Sequence, residues 1–230
     1  NIKIPIPPLP VQQEIVRILD TFTELNIELN AELEARKKQY EYYRDLLLTF
    51  GDEVELIAEL CPDGVEYKLI GDVCDFINGF AFKSSKFQDY GEPILRISNI
   101  QDKKIDTSNL VYFNLDDYTE DLSKYIVNKG DIVVAMSGAT TGKIGVNDTD
   151  SIYYLNQRVG KFVPNEKIIL NRFLYHILTS KTQLIYQISG GGAQPNLSSE
   201  KLKQIKIPLP PLPVQQEIVR ILDNFTELTA

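Results

Sequence analysis

The sequence is poor in the residues that do chemistry. Among 230 residues there is one histidine, His176, and there are two cysteines, Cys61 and Cys74. Two cysteines are too few for a disulfide scaffold, and no two His or Cys have metal-ligand spacing. They fit a chain kept in a reducing cytoplasm. His176 falls among Phe173, Ile177 and Leu178 with neither cysteine beside it, so it reads as a core or edge residue and no nucleophile–base arrangement can be argued. No carboxylate pair stands out from the general acidity for acid–base work. Apolar runs stop well short of the ~20 residues a membrane-spanning helix needs, and the start lacks the basic and apolar segments of a secretory signal. The chain opens on Asn1, not methionine, which fits a piece of a longer protein.

Positive charge is also scarce. Lys and Arg number 24 against 32 Asp and Glu, a net charge of −8, which by itself argues against nucleic acid. The distribution is uneven, however. Between Asp52 and Asp75 eight acids meet one base, Lys68, whereas between Ser137 and Lys203 eight bases meet four acids. A local basic surface on an acidic chain is compatible with phosphate contact, and ordinary charge scatter is the competing reading. The 43% of apolar residues is enough for a packed core, and the length suits one large domain or a medium domain with an extended element.

What the sequence does have is a repeat. Ile2 to Leu25, "IKIPIPPLPVQQEIVRILDTFTEL", returns 203 positions later as Ile205 to Leu228, differing only at Ile6/Leu209 and Thr21/Asn224. Each copy reads as a short β run, then a stiff proline strap, then a helix that a proline in its first turn does not disturb. The first copy continues without Gly or Pro to Gly51. Ile15, Ile18, Phe22, Leu25 and Leu29 keep a 3–4 spacing, and Leu33, Tyr40 and Leu47 carry the seam on at seven-residue steps after a four-residue skip. This predicts a rod of about 38 residues, roughly 57 Å, that must pack against another helix.

Between the repeats the pattern changes. "EYKLIGDVCDFI", "EPILRISNI", "LVYFN", "KYIVNKGDIVVAM", "KIGVND" and "SIYYLNQRVGKFVP" read as strands. A helix is predicted over 171–188 and a short one from Ser198. The expected fold class is α+β: residues 1–50 strap and long helix, 51–204 a globular α/β-mixed domain, 205–230 the start of a second helix.

"SGATTGK", Ser137 to Lys143, is not a phosphate-binding loop of the nucleotide-hydrolase type: three residues, not four, separate its glycines, and Ile144 follows the lysine. A glycine turn with two threonines and a lysine suits close approach to a nucleic-acid backbone, and a plain hairpin turn is the alternative. "NGFAFKSSKF", "LNQRVGKF" and "GGAQPN" put amides, a guanidinium and hydroxyls in loops, the groups that read base edges.

Taken in order, "NGFAFKSSKF", "ILRISNI", "GDIVVAMSGATTGKIGV", "LNQRVGKFVP" and "GGAQPNLSSEKLKQIKIPLPPLPVQQEIVRILD" resemble the specificity subunit of Type I restriction-modification systems, across nearly the whole chain. The resemblance implies a non-catalytic subunit in which an α/β recognition domain reads one half of a split site in double-stranded DNA, with long helices pairing antiparallel. It also implies methyltransferase subunits and a restriction/translocase subunit as partners, with S-adenosylmethionine, ATP and Mg on those partners and no cofactor here. One recognition domain in place of two leaves open a fragment or a half-length subunit that forms a homodimer through the long helices. On this reading Lys83, Ser84, Ser85, Lys86, Arg96, Asn99, Ser137, Thr140, Thr141, Lys143, Asn156, Gln157, Arg158, Lys161, Gln194 and Asn196 are the candidate DNA contacts, with Lys83, Lys143 and Lys161 on phosphate. The competing class is a coiled-coil protein-assembly module with no direct DNA readout. An enzyme acting on nucleotides is disfavoured by the broken loop spacing.

Overall fold

The computed structural model describes residues 4–50, 59, 61, 62, 64–101, 103–190 and 195–227. The proline strap ends where the first helix begins. Pro8 caps helix α1 (Leu9–Thr49), its carbonyl accepting from Val11 N at 2.9 Å and Gln12 N at 3.1 Å. Pro10 sits in the first turn, where a backbone N–H has no intrahelical acceptor to lose. With no Gly or Pro to break it, α1 runs 41 residues as one helix, about 60 Å at 1.5 Å per residue. Exposed pairs Arg17–Glu14, Arg36–Glu32 and Lys37–Glu34 at 2.6, 2.7 and 3.0 Å lace its surface, each contributing a few tenths of a kcal/mol.

The remainder alternates short strands with short helices: β1 (Glu66–Leu69), α2 (Ile70–Val73), β2 (Cys74–Asn78), β3 (Glu92–Leu95), β4 (Ile100–Gln101), β5 (Lys104–Ile105), β6 (Val111–Phe113), β7 (Ile126–Val127), β8 (Ile132–Ala135), β9 (Ile144–Val146), β10 (Tyr153–Leu155), β11 (Val159–Pro164), α3 (Asn171–Ser180), α4 (Thr182–Ile188), α5 (Ser199–Lys203), β12 (Lys206–Leu209) and α6 (Leu212–Glu227). One sheet has the order β2-β11-β8-β9 and is antiparallel throughout. The other, β6-β3-β10-β7, has β3 and β10 parallel and its outer pairs antiparallel. Leu95, Ile100, Val127, Val133, Ala135, Leu155 and Val159 make one core. Phe82, Ile94, Phe113, Leu122 and Tyr154 make a second, aromatic one. β1 pairs antiparallel with β12, which ties the opening strand of this lobe to the second proline strap.

Two sequence expectations change in detail. The helix predicted over 171–188 is two helices, because Thr179, Ser180 and Thr182 turn their hydroxyls onto the carbonyls of His176, Ile177 and Thr179 and compete with the helix ladder at Lys181. The run "EYKLIGDVCDFI" is two strands around a single turn, α2, whose Asp72 carboxylate accepts from Leu69 N at 3.2 Å. Ser198 caps α5 as its sequence suggests, accepting from Lys201 N at 3.3 Å. His176 is fully buried within α3.

The chain divides into two compact units, Asn1–Tyr43 with Leu222–Ala230, and Arg44–Ile221. Within the first, Phe225 of α6 stacks on Tyr43 of α1 with ring centroids 5.1 Å apart. Of the seam residues, Ile15, Ile18, Phe22, Leu25 and Leu29 are exposed, Leu33 is half-buried, and Tyr40 and Leu47 are buried.

Candidate nucleic-acid interface

The turn between β10 and β11 is the centre of the site. Its residues, Asn156, Gln157 and Arg158, are held by backbone bonds on both sides: Asn156 N donates to Leu95 O at 3.0 Å and Met136 N to Arg158 O at 2.9 Å. Asn156 also bridges Phe80, so the segment after β2 runs against the same turn. The approach is close enough to demand Gly79, where a Cβ would lie 2.0 Å from the Asn156 carbonyl oxygen.

The loop from Ser137 to Lys143 lies alongside. Gly138 takes a left-handed conformation (φ 77°) that opens it. Ser137 bridges Asn196, and Leu197 N donates to Met136 O at 2.8 Å. Thr140 Oγ1 donates to Ile97 O at 2.8 Å, joining this loop to the turn that carries Arg96 and Asn99. Arg158 Nη1 lies 3.4 Å from Asn196 Oδ1, both side chains exposed. Lys143 Nζ donates to Gln101 Oε1 at 3.2 Å. Four of the five loops singled out in the sequence therefore converge: those of Arg96–Asn99, Ser137–Lys143, Asn156–Arg158 and Asn196. Gln194 lies outside the described residues.

Within that cluster the side chains have different duties. Gln157, Arg158 and Asn196 are exposed, and Ser137, Thr140, Lys143 and Asn156 are half-buried. Asn99 is buried: its Oδ1 accepts from Arg96 N at 3.0 Å and its Nδ2 donates to Asp106 O at 3.0 Å. Thr141 is buried too, donating to Gly138 O at 2.7 Å. Asn99 and Thr141 are buried and engaged in shaping their own loops. Arg96 Nη2 donates to Asn109 O at 2.9 Å, while its Nε is buried with no hydrogen-bond partner among the described residues.

Two of the candidate lysines, Lys161, expected on phosphate, and Lys86, have partners within the fold. Lys161, on β11, points inward, donating to Ile126 O and pairing with Asp131 Oδ2 at 3.1 Å; it is 8% exposed. Alternation along a strand with two covered faces put it inside, and a β run alone does not say which face is covered. Lys86 donates to Asp117 O and stands 4.6 Å over the Tyr118 ring. Lys83, Ser84 and Ser85 remain exposed on this loop, which packs on the aromatic core through Phe80, Phe82 and Tyr118. Among the described residues no group of His, Cys, Asp or Glu is placed to hold a metal. Cys74 is walled in, and burial pushes its thiol up to about 12. No helix of the described residues is long and apolar enough to cross a membrane.

Gln215, fully buried, was not anticipated in this role. Its Oε1 accepts from Leu170 N at 2.9 Å, and its Nε2 donates to Ile168 O and Pro210 O, both at 2.9 Å. The repeated "VQQE" was the available signal.

A family model described as the Type I restriction modification DNA specificity domain matches residues 1–36 and 62–230. The chain belongs to that family. A putative type I restriction enzyme specificity subunit of Haemophilus influenzae is 36% identical over 238 residues, covering all of this chain and 57% of the relative. The MjaVIII specificity subunit of Methanocaldococcus jannaschii is 32% identical over 243 residues, 99% of this chain and 57% of its own length. The chain thus spans about half the length of these curated relatives. The crystal structure of the HsdS subunit from Thermoanaerobacter tengcongensis has a TM-score of 0.62 at 20% identity, over 98% of this chain and 53% of that one. The Type I restriction-modification S subunit from M. genitalium gives 0.67 at 18%, over 95% and 54%. At such identities these structures share the specificity-domain fold.

Proposed function

We propose that this chain carries a DNA-reading lobe of a Type I specificity subunit, recognising one half of a bipartite duplex site and performing no chemistry of its own. The observation that carries the reading is the convergence of the loops of Arg96, Ser137–Lys143, Asn156–Arg158 and Asn196 at one place. Guanidinium and amide groups are the donors and acceptors that match base edges in the major groove. Arg158, steadied by Asn196, is the side chain best suited to guanine, and Asn156 and Gln157 present the amides that suit adenine. Lys143 and Lys83 supply phosphate contacts that fix register without reading sequence.

Methylation and cleavage then belong to partner subunits, with S-adenosylmethionine on the methyltransferase and ATP and Mg on the restriction subunit. The exposed row Ile15, Ile18, Phe22, Leu25 and Leu29 calls for a partner helix, supplied by the rest of the subunit or by a second copy of the chain.

The test is the methylome of a host strain with and without the full gene, followed by anisotropy titration of the purified chain with the duplex so identified. Affinity that falls steeply with salt and exceeds that for a scrambled duplex is expected. Equal, salt-independent retention of both duplexes refutes DNA readout and leaves the assembly-module reading.

A further inference from the structure

The hairpin of β4 and β5 carries a lysine where the backbone favours glycine. The turn between the two strands passes through Lys103, whose φ is 69°. That left-handed region is strained for a residue with a Cβ and open to glycine. The surroundings hold the turn in place. Lys103 N donates to Ile144 O at 2.9 Å, and the Tyr175 hydroxyl donates to Lys103 O at 3.3 Å. Gly145 of β9 admits the hairpin, since a Cβ there would lie 3.0 Å from Lys104 O. The main chain is thus pinned, while Lys103 and Lys104 are both exposed. Glycine would make the same two main-chain bonds without the strain, so what the lysine adds is its ammonium.

Positive charge gathers on one face of this hairpin. Gln101 and Lys104 are direct partners across the antiparallel pair, and such partners project to the same side. Lys143 reaches that side from the Ser137–Lys143 loop, its Nζ donating to Gln101 Oε1 at 3.2 Å. The Gln101 amide is steadied in turn by its Nε2 bond to Ser98 O at 3.1 Å. One amide therefore has an ammonium on its oxygen and Lys104 across the ladder from it. The Asp106 carboxylate, just past β5, serves its own turn: it accepts from Ser108 N at 2.9 Å, and its pKa is lowered by that bond first and by Lys104 last. Asp102 lies outside the described residues. Lysines crowded on one face repel one another, and an anion lying across them removes that repulsion.

We propose that the β4–β5 hairpin is a clamp for the duplex backbone, in which Lys103 and Lys104, with Lys143 beside them, hold phosphates next to the bases met by the Asn156–Arg158 turn. The hairpin leaves directly from the Arg96–Asn99 turn, and Thr140 ties that turn to the Ser137–Lys143 loop through Ile97 O. The reading loops and the lysines are therefore built into one structure. A phosphate contact delivered from a pinned main chain fixes register and carries no sequence information. Lys103 and Lys104 sit in a strand-and-turn segment and not in a loop rich in amides, so residue type alone did not single them out. The clamp rests on the DNA reading of the same face and adds to it the contacts that are blind to sequence.

The experiment is anisotropy titration, over a range of salt, of the chain and its variants with two duplexes of equal length. One bears the site mapped by methylome comparison and the other is scrambled. Lys103→Gly and Lys104→Met are each expected to lower affinity for both duplexes by the same factor, about fivefold at physiological salt. Each should also flatten the slope of log K against log salt by about 0.9. Lys103→Arg should keep the parental slope, and Arg158→Ala should weaken the site-bearing duplex alone. Lys103→Gly should raise the melting temperature by about 2–4 °C as the strain is relieved, so that its loss of binding is no loss of fold. Salt-dependent parental binding with unchanged slopes in both lysine variants overturns the clamp and leaves the DNA reading standing. Melting temperatures that fall in both variants in step with binding make the lysines part of the fold and also overturn the clamp. A parent that binds neither duplex with any salt dependence refutes the DNA reading, and the clamp falls with it.

Discussion

Replacing Lys161 by methionine keeps most of the side-chain volume and removes only the ammonium, so it separates an internal ion pair from a phosphate contact. In the fold the ammonium satisfies Ile126 O and Asp131 Oδ2. Removing one member of a fully buried pair costs about 3–5 kcal/mol, because the remaining charge is left without compensation. The Asp131 side chain keeps 27% of its exposure, so water recovers part of this, and a loss of about 2–3 kcal/mol is expected. For a unit of this size that lowers the melting temperature by roughly 5–10 °C. Differential scanning fluorimetry reads the shift. Below the melting range the DNA affinity of the variant and its dependence on salt should match the parent, whereas Lys143→Met should flatten the slope of log K against log salt by about 0.9. A Lys161→Met chain with parental stability and a flattened slope would refute the placement of this lysine and restore its phosphate role.

Other outcomes follow from the same geometry. Arg158→Ala should change stability by no more than about 0.5 kcal/mol, since the side chain is exposed, and should weaken binding of the cognate duplex by about 1–3 kcal/mol, roughly 5- to 150-fold, in anisotropy titration. Gly79→Ala places a methyl against the Asn156 carbonyl; a loss of about 2–3 kcal/mol by chemical denaturation, together with weakened duplex binding, is expected as the Asn156–Arg158 turn shifts. Cys74 should resist iodoacetamide at pH 8 until the chain unfolds. Its folded pKa of about 12 lies above that of an unfolded thiol, so above pH 9 the folded state holds a proton that the unfolded state releases. Stability should then fall as pH rises from 9 to 12, by up to about 1.4 kcal/mol per unit, and Cys74→Ala should remove that part of the slope.

Much of the fold was legible because it rests on local rules. The long helix is spelled by an unbroken run of helix formers after a proline, and Ser198 declares a cap. The strand runs are apolar and bounded by Gly, Asn and Asp. Periodicity did not reveal the interruption at Lys181, since three hydroxyl side chains redirected the helix there while the apolar spacing continued across it. The loops of the candidate site were legible by residue type, because guanidinium and amide groups clustered in irregular segments have few structural uses. Their sorting was not. Asn99 and Asn156 look alike in a string of letters, yet one is buried with both ends of its amide bonded, and the other lies half-buried beside Arg158 with its Oδ1 accepting from Gln157 N at 2.9 Å.

By itself the sequence determined the α+β class, the strap-and-helix repeat, the family and the loops from which the meeting set is drawn. Tertiary structure alone decided which members of that set face outward, that Lys161 turns inward to Asp131, and that two identical helix starts live in different surroundings. Hydrophobic periodicity fixes which face of an element is apolar, whereas what covers that face depends on segments distant in the chain. Val11 and Val214 carry the same side chain, and only the lobe beside Val214 makes one of them core.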